Sequence, residues 1–353
     1  MFKSFLRSMS VAMLIVGTMI GAGFASGKEI VSFFGAVPNV FIALVAGVLV
    51  FGCSTLFLFV GRRVKKTDIG EVNGAVFGKL RPFADVFMLF NSMTVLGAML
   101  AGTDSLVAEF IDIRPFASII TGLICAVVAV RGLRGVLKAN AVLVPVMIVF
   151  LAVCSILAIE FPFRSSSSPI KPYSVVLYVS MNMILGGGVL STVHELSPRE
   201  IILSSAVASA LIAGLLMLIM GALASSSAAH ADMPMLLIAL KSGKATYFIC
   251  LPVIAASIFT TMLSAFKSVY DYLSGFIKNK FISAGLVLAT GLLVGAFGFS
   301  TVVGRIYPII GGIGLLYLAA NGWYLFKTRI KRNVKKKVKK VKSKVKRTVK
   351  RGA

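Results

Sequence analysis

The sequence predicts an all-α polytopic membrane protein of about ten transmembrane helices, and three observations carry that reading. The first is composition: 58% of the 353 residues are hydrophobic and 14% are charged, with a mean hydropathy of +0.95. Soluble domains average about 25% charged residues. The second is a series of apolar segments close to the ~20 residues that a helix needs to cross a bilayer. The third is the placement of basic residues between them, since short cytoplasmic loops collect Lys and Arg.

Taken in order, the segment 9–34 follows Lys3 and Arg7, and 39–60 ends before Arg62, Arg63, Lys65 and Lys66. The segment 82–110 follows Lys79 and Arg81, and 115–130 leads into Arg131 and Arg134. The fifth, 136–159, opens on Lys138 and gives way to a polar connector, 161–172, with Ser165 to Ser168 and three prolines. Beyond it, 173–193 and 199–225 meet at Arg199, and 227–243, with Asp232, Pro234 and a Met/Leu run, reads as a short interfacial helix capping the outer mouth. The last three, 245–274, 281–300 and 304–326, are punctuated by Lys267, Lys278 and Lys280. The opposite face receives Arg114, Arg164, Lys171, Lys241, Lys244 and Arg305, so both termini are expected in the cytoplasm. The first segment imitates a signal peptide, with small residues at Ala25-Ser26-Gly27. Its apolar stretch continues past that point, and it is expected to be retained.

The formal charge of +25 is concentrated at one end. Lys327 to Arg351 holds fifteen of the 37 Lys and Arg and no acid, leaving an ordinary +10 for the rest. The chain therefore divides into a transmembrane domain, 1–326, with halves of about 9–159 and 173–326, and a polybasic cytoplasmic tail, 327–353. Val334, Val338, Val341, Val345 and Val349 place a narrow apolar stripe on that tail. Repulsion between its lysines is expected to keep it unfolded in water. Anionic inner-leaflet lipid, at about 1 kcal/mol per basic residue, is the expected partner, and no specific nucleic acid is.

Cys53, Cys125, Cys154 and Cys250 each sit alone in an apolar run, and His194 and His230 come without an HExxH or nucleophile-elbow pattern. Zinc and hydrolase chemistry have no residues to stand on. The chain is expected not to be an enzyme and to need no cofactor, with a sodium ion as the one candidate.

A binding site is indicated instead by glycine. The first segment reads Gly17-Thr18-Met19-Ile20-Gly21-Ala22-Gly23 in its middle, and each glycine costs about 1 kcal/mol relative to alanine inside a helix. Backbone freed at mid-membrane depth is tolerated where it is buried in protein or lines a polar cavity. Gly186-Gly187-Gly188 lies about half a chain later. Paired interruptions in two halves point to the substrate site of a transporter, while packing of small residues between helices is the competing explanation.

The run from Gly17 to Gly23, with the following Phe24-Ala25-Ser26-Gly27-Lys28-Glu29-Ile30, resembles the YkvI-like family of predicted amino-acid permeases in the amino acid–polyamine–organocation superfamily. The resemblance covers 1–326 and not the tail. It implies a LeuT-type fold of two inverted five-helix repeats with helices one and six broken around a central substrate. It further implies substrate contacts at Thr18, Met19, Gly21, Ala22, Gly23, Asn91, Met181, Asn182, Ile184 and Gly186, with a carboxylate on the amides of Gly21 to Gly23 and an amino group on carbonyls near Met19 and Ile184. No charged selector is apparent among these, so the resemblance favours a neutral amino acid.

Ser257, Thr260 and Thr261 share one face of the eighth segment by their i, i+3, i+4 spacing. Hydroxyls and freed carbonyls suit a hard cation. By resemblance, a sodium ion would be held by carbonyls of Gly17, Ile20 and Ser257 and by the hydroxyls of Thr260 and Thr261. Local bonding of each hydroxyl to its own helix is the alternative. Lys138 is the candidate for proton coupling if sodium is not used. Asp85 and Asp104 read as solvated helix ends, and Lys28 and Glu29 as an outer gate or an interfacial pair. The expected function is secondary active transport of a small amino acid or related zwitterion by alternating access. The alternative is a non-transporting membrane sensor or assembly protein that docks through its basic tail.

Overall fold

The computed structural model describes residues 2–131, 134–160 and 172–351, with side chains over 3–131, 142–160 and 172–330. The connector 161–171 and the side chain of Lys138 therefore lie outside the described residues, and so do the side chains of the tail valines. What is described is helical throughout.

The first apolar segment becomes three pieces: α1 (Phe2–Met19), α2 (Ala22–Ala25) and α3 (Lys28–Phe34). The expected break in helix one is present. Gly27 makes the second turn possible, with φ +81° placing it in the left-handed region that glycine enters without strain. Then come α4 (Val40–Val64), capped by the Asn39 side chain on the Ile42 amide, and the short α5 (Ile69–Phe77), capped by Asp68. The first half closes with α6 (Arg81–Ala108), α7 (Phe116–Arg131) and α8 (Arg134–Ala158).

The second half holds α9 (Pro172–Thr192), α10 (Pro198–Ala224), α11 (Pro234–Lys241), α12 (Lys244–Ser274) and α13 (Lys280–Gly295). It ends with α14 (Phe299–Thr301), one π turn at Val302–Ile306, and α15 (Tyr307–Arg351). A reciprocal capping box, Ser197 with Glu200, fixes the start of α10. Each of the ten predicted segments contains a helix at its place. Among the described residues, six helices, counting Ile69–Ala108 as one and Phe299–Ile330 as one, are long and apolar enough to cross a membrane by length and composition, and three shorter apolar helices accompany them.

One expectation is corrected here. Helix six does not break: α9 runs through Gly186-Gly187-Gly188 without interruption, and the chain leaves the helix only after Thr192. The glycines are consumed by packing. A methyl group on Gly186 would stand 2.5 Å from Thr18 Oγ1, one on Gly188 2.8 Å from Met88 Cε, and one on Gly187 would meet the Phe57 ring closer still. The tail, expected to be unfolded in water and to become helical on anionic lipid, continues α15 as helix to Arg351. Extending an already packed helix avoids the nucleation cost that an isolated basic peptide would face.

Polar contacts tie both ends of the bundle. At the end rich in arginine, Arg7 pairs with Glu195 at 2.7 Å, Ser4 Oγ donates to Glu200 at 2.8 Å, and Arg62 donates to the Leu196 carbonyl. Nearby, Asn73 donates to Asp85 at 2.7 Å and accepts from Tyr317 at 2.8 Å, so Asp85 is a partnered network member and not a solvated terminus. At the other end α11 lies over the break as a cap, its Met235 amide donating to the Ser26 carbonyl at 2.8 Å. Asp104 receives the Ser118 amide at 2.8 Å and thereby anchors the start of α7.

Candidate functional site

The site is built from the places where the helix ladder stops. Ile20 still donates to the Val16 carbonyl at 2.7 Å, and the ladder resumes only with Ala25 donating to Gly21 at 2.9 Å. Among the described residues, the amides of 21–24 and the carbonyls of 17–20 make no backbone hydrogen bond. Gly21 is extended, at φ −91° and ψ −172°. Met19, Ile20, Ala22 and Gly23 are all buried, so these free groups face protein interior instead of lipid.

Three elements close on this point. Thr18 of α1 presses on Gly186 of α9, which brings two of the predicted substrate contacts together. Thr261 of α12 faces Gly21, its Oγ1 standing 3.6 Å from where a methyl group on Gly21 would lie. Glu29 of α3 folds back onto Gly23, where its carboxyl group fills the space a methyl group would need. The first and eighth segments thus approach each other at Gly21 and Thr261.

The hydroxyl cluster divides on inspection. Thr260 donates to the Ser257 carbonyl at 3.3 Å, and Ser264 donates to the Thr260 carbonyl at 2.9 Å, the local bonding that hydroxyls adopt in any membrane helix. Ser257 is buried. Thr261 is the member that turns a hydroxyl toward the break. Gly17 packs its open side on Val144 of α8, 2.9 Å from a built methyl position.

Asn91 of α6 is the clearest unpaid polar group in the chain. It is 0% exposed, and neither its Nδ2 nor its Oδ1 has a hydrogen-bond partner among the described residues. Leaving such an amide unpartnered costs about 1–3 kcal/mol. Asn182 satisfies itself by donating to the Tyr178 carbonyl at 3.1 Å, and Met181 beside it is buried. Ile184 sits in the middle of unbroken α9, where its carbonyl belongs to the helix ladder and is not free for an amino group.

Sequence reasoning missed one residue here. The pocket was expected to have no charged selector, yet Glu29 is 5% exposed and its Oε2 has no partner among the described residues. Its place two residues after Gly27 and next to Lys28 suggested an outer gate or an interfacial pair. On a helix, adjacent residues do not face each other. Lys28 instead donates to the Ala231 carbonyl at 2.8 Å and stands 3.8 Å from Asp232, which also accepts from Ser105 and Ser300.

This arrangement of helices is the fold of membrane transporters. The chain aligns over 89% of its length, and 78% of the other chain, with a manganese transporter of Eremococcus coleocola at a TM-score of 0.59 and 14% identity. It aligns over 90% of its length, and 78% of the other chain, with a Na+-coupled sialic acid symporter at a TM-score of 0.54 and 14% identity. By sequence it is 26% identical over 332 residues to the uncharacterized membrane protein YkvI of Bacillus subtilis (strain 168), covering 88% of this chain and 94% of that one. It is likewise 26% identical over 325 residues to the uncharacterized protein YyaD of the same organism, covering 87% and 93%. No family model matches the chain.

Proposed function

We propose that the chain is a secondary active transporter that moves a small amino acid or related zwitterion by alternating access, coupled to sodium. The observation that carries this reading is the interrupted first helix, whose unbonded amides and carbonyls meet Thr261 inside a transporter fold. The amides of Gly21 to Gly23 suit a carboxylate, because the N-terminal end of a helix carries partial positive charge. The carbonyls of Gly17 and Ile20 with the Thr261 hydroxyl supply oxygen for sodium, and Asn91 offers an amide to the solute. The reading treats the protein as a carrier and not as an enzyme. Two inverted five-helix repeats and cytoplasmic termini complete it; the clustering of Arg7, Arg62 and Arg63 at one end supports that orientation.

A sensor that docks through its tail is the second reading, favoured by one feature: α15 runs from the packed bundle straight into the basic segment as a single helix. Anionic inner-leaflet lipid is the partner proposed for that segment in either case. Uptake of a panel of labelled neutral amino acids into liposomes containing the purified protein separates the two. Transport predicts concentration of at least one solute under an inward sodium gradient, with Thr261→Val raising the sodium requirement several-fold. Binding without net uptake for every solute in the panel would favour the sensor.

A further inference from the structure

The buried carboxyl group of Glu29 has no assigned task, and its surroundings narrow what it can do. It lies on α3, the short piece beyond the break, with only 5% of the residue exposed and, among the described residues, no basic side chain paired with it. Burying an uncompensated negative charge is strongly unfavourable, so the closed arrangement requires a cation at this carboxyl. Lys28 does not provide one, because it is turned toward Ala231 and Asp232. On the side of the break the carboxyl packs directly onto Gly23.

The groups around it are weak acids, not bases. Tyr178 of α9 and Tyr307 of α15 are both buried beside Glu29, and the Tyr178 hydroxyl is the hydrogen-bonding neighbour of its carboxyl. Among the described residues, α9 adds only the exposed Tyr173. The stretch α2 has no ionisable residue, α10 carries only Arg199 and Glu200 in its opening turn at the opposite end, and Arg305 of the π turn is exposed. Phe33 and Phe34 seal the site by stacking against Tyr178, with ring centroids 5.4 and 4.8 Å away. A π turn, a feature that recurs at functional sites, immediately precedes Tyr307.

We propose that Glu29 is a proton carrier whose protonation permits α3 to close on the bundle. The idea rests on the transporter reading but concerns a different coupling ion. When α3 leaves the bundle, the carboxylate meets water on the side of α11 and takes one proton from hydronium, one O–H bond forming on the carboxyl as one breaks on hydronium, which leaves as water. The neutral acid then packs against Gly23 and Tyr178. When the break opens toward the other side, the same proton returns to water. The closed state therefore holds one more proton than the open state, and raising the pH favours opening.

Hydrogen–deuterium exchange of the full chain in lipid nanodiscs, followed over residues 22–36 and corrected for intrinsic exchange, tests this without any solute. For the unaltered protein, exchange in this segment should rise several-fold from acidic to alkaline buffer. Glu29→Gln, which mimics the neutral acid, should stay protected at every pH, and Glu29→Asp should keep a pH response. Infrared difference spectra over the same pH step should show the loss of a protonated carboxyl band that Glu29→Gln lacks. A pH-independent wild type, a wild-type response retained in Glu29→Gln, an opened Glu29→Gln, or a carboxyl band unchanged by that substitution would each overturn the proposal. None of these results depends on uptake, so the transporter reading stands or falls separately on the liposome measurement.

Discussion

Two glycine-rich stretches of this chain, Gly17 to Gly23 and Gly186 to Gly188, look alike in sequence and behave oppositely. The first interrupts its helix at Ile20 and Gly21; the second passes through the middle of α9 as regular helix. Glycine lowers the cost of two different events, departure of the backbone from the helix and close approach of a neighbour, and the surroundings choose between them. At 186–188, Thr18, Phe57 and Met88 from three separate helices occupy the volume that side chains would take. At Gly21 the nearest atoms to a built methyl group belong to Thr261, at 3.6 and 3.9 Å, so a methyl group would find an ordinary contact bordered by a hydroxyl. Missing side chains thus let neighbours press in at 186–188, and in the first stretch at Gly17 and Gly23, while Gly21 keeps room for a methyl group beside the Thr261 hydroxyl.

That contrast can be broken by substitution, and the largest effect is expected at Gly187. Gly187→Ala should lower stability by about 1–3 kcal/mol, the usual cost of overpacking, because its methyl group meets the Phe57 ring. The buried Cys125, Cys154 and Cys250 offer a readout, since a thiol-reactive dye reports their exposure as the protein is heated. Adding Phe57→Leu should recover part of the loss. A Gly187→Ala melting curve identical to that of the unaltered protein would remove the packing explanation.

A smaller effect of opposite sign is expected at Asn91. Asn91→Leu replaces an unpartnered amide by an apolar group of similar size and should raise stability by about 1 kcal/mol, while weakening retention of whichever solute the liposome panel identifies. Destabilisation would mean that the amide is satisfied within the protein and is not waiting for a ligand.

The smallest effect on stability belongs to Gly21. Its extended backbone accepts any residue, so Gly21→Ala should change the melting midpoint by no more than about 0.5 kcal/mol. It should nevertheless raise the sodium concentration needed for half-maximal uptake, because the methyl group points at Thr261. If Gly21→Ala destabilises as much as Gly187→Ala, the two stretches are the same kind of feature after all.

How much of this was legible beforehand can be argued from single residues. Helix positions were, because hydropathy and the Lys/Arg intervals act locally along the chain; α11 falls inside the predicted cap 227–243 for the same reason. The break at Gly21 was legible because three glycines in seven residues weaken one helix regardless of what surrounds it. Asn91 was visible only as a polar residue in an apolar run. That both of its amide atoms go unpartnered is a property of its neighbours on other helices.

By itself, then, the sequence determined the class of protein, the order of its helices and the weak point in the first of them, since each follows from interactions within about one helical turn or from transfer to lipid. Only the tertiary structure decided the rest. It kept α9 continuous by filling its glycine gaps from α1, α4 and α6, continued α15 into the basic segment as helix, and sent Lys28 and Glu29 to different surroundings. These outcomes depend on which distant residues arrive at a given point. Volume, and the cost of an unpartnered charge, can be counted only once those neighbours are in place.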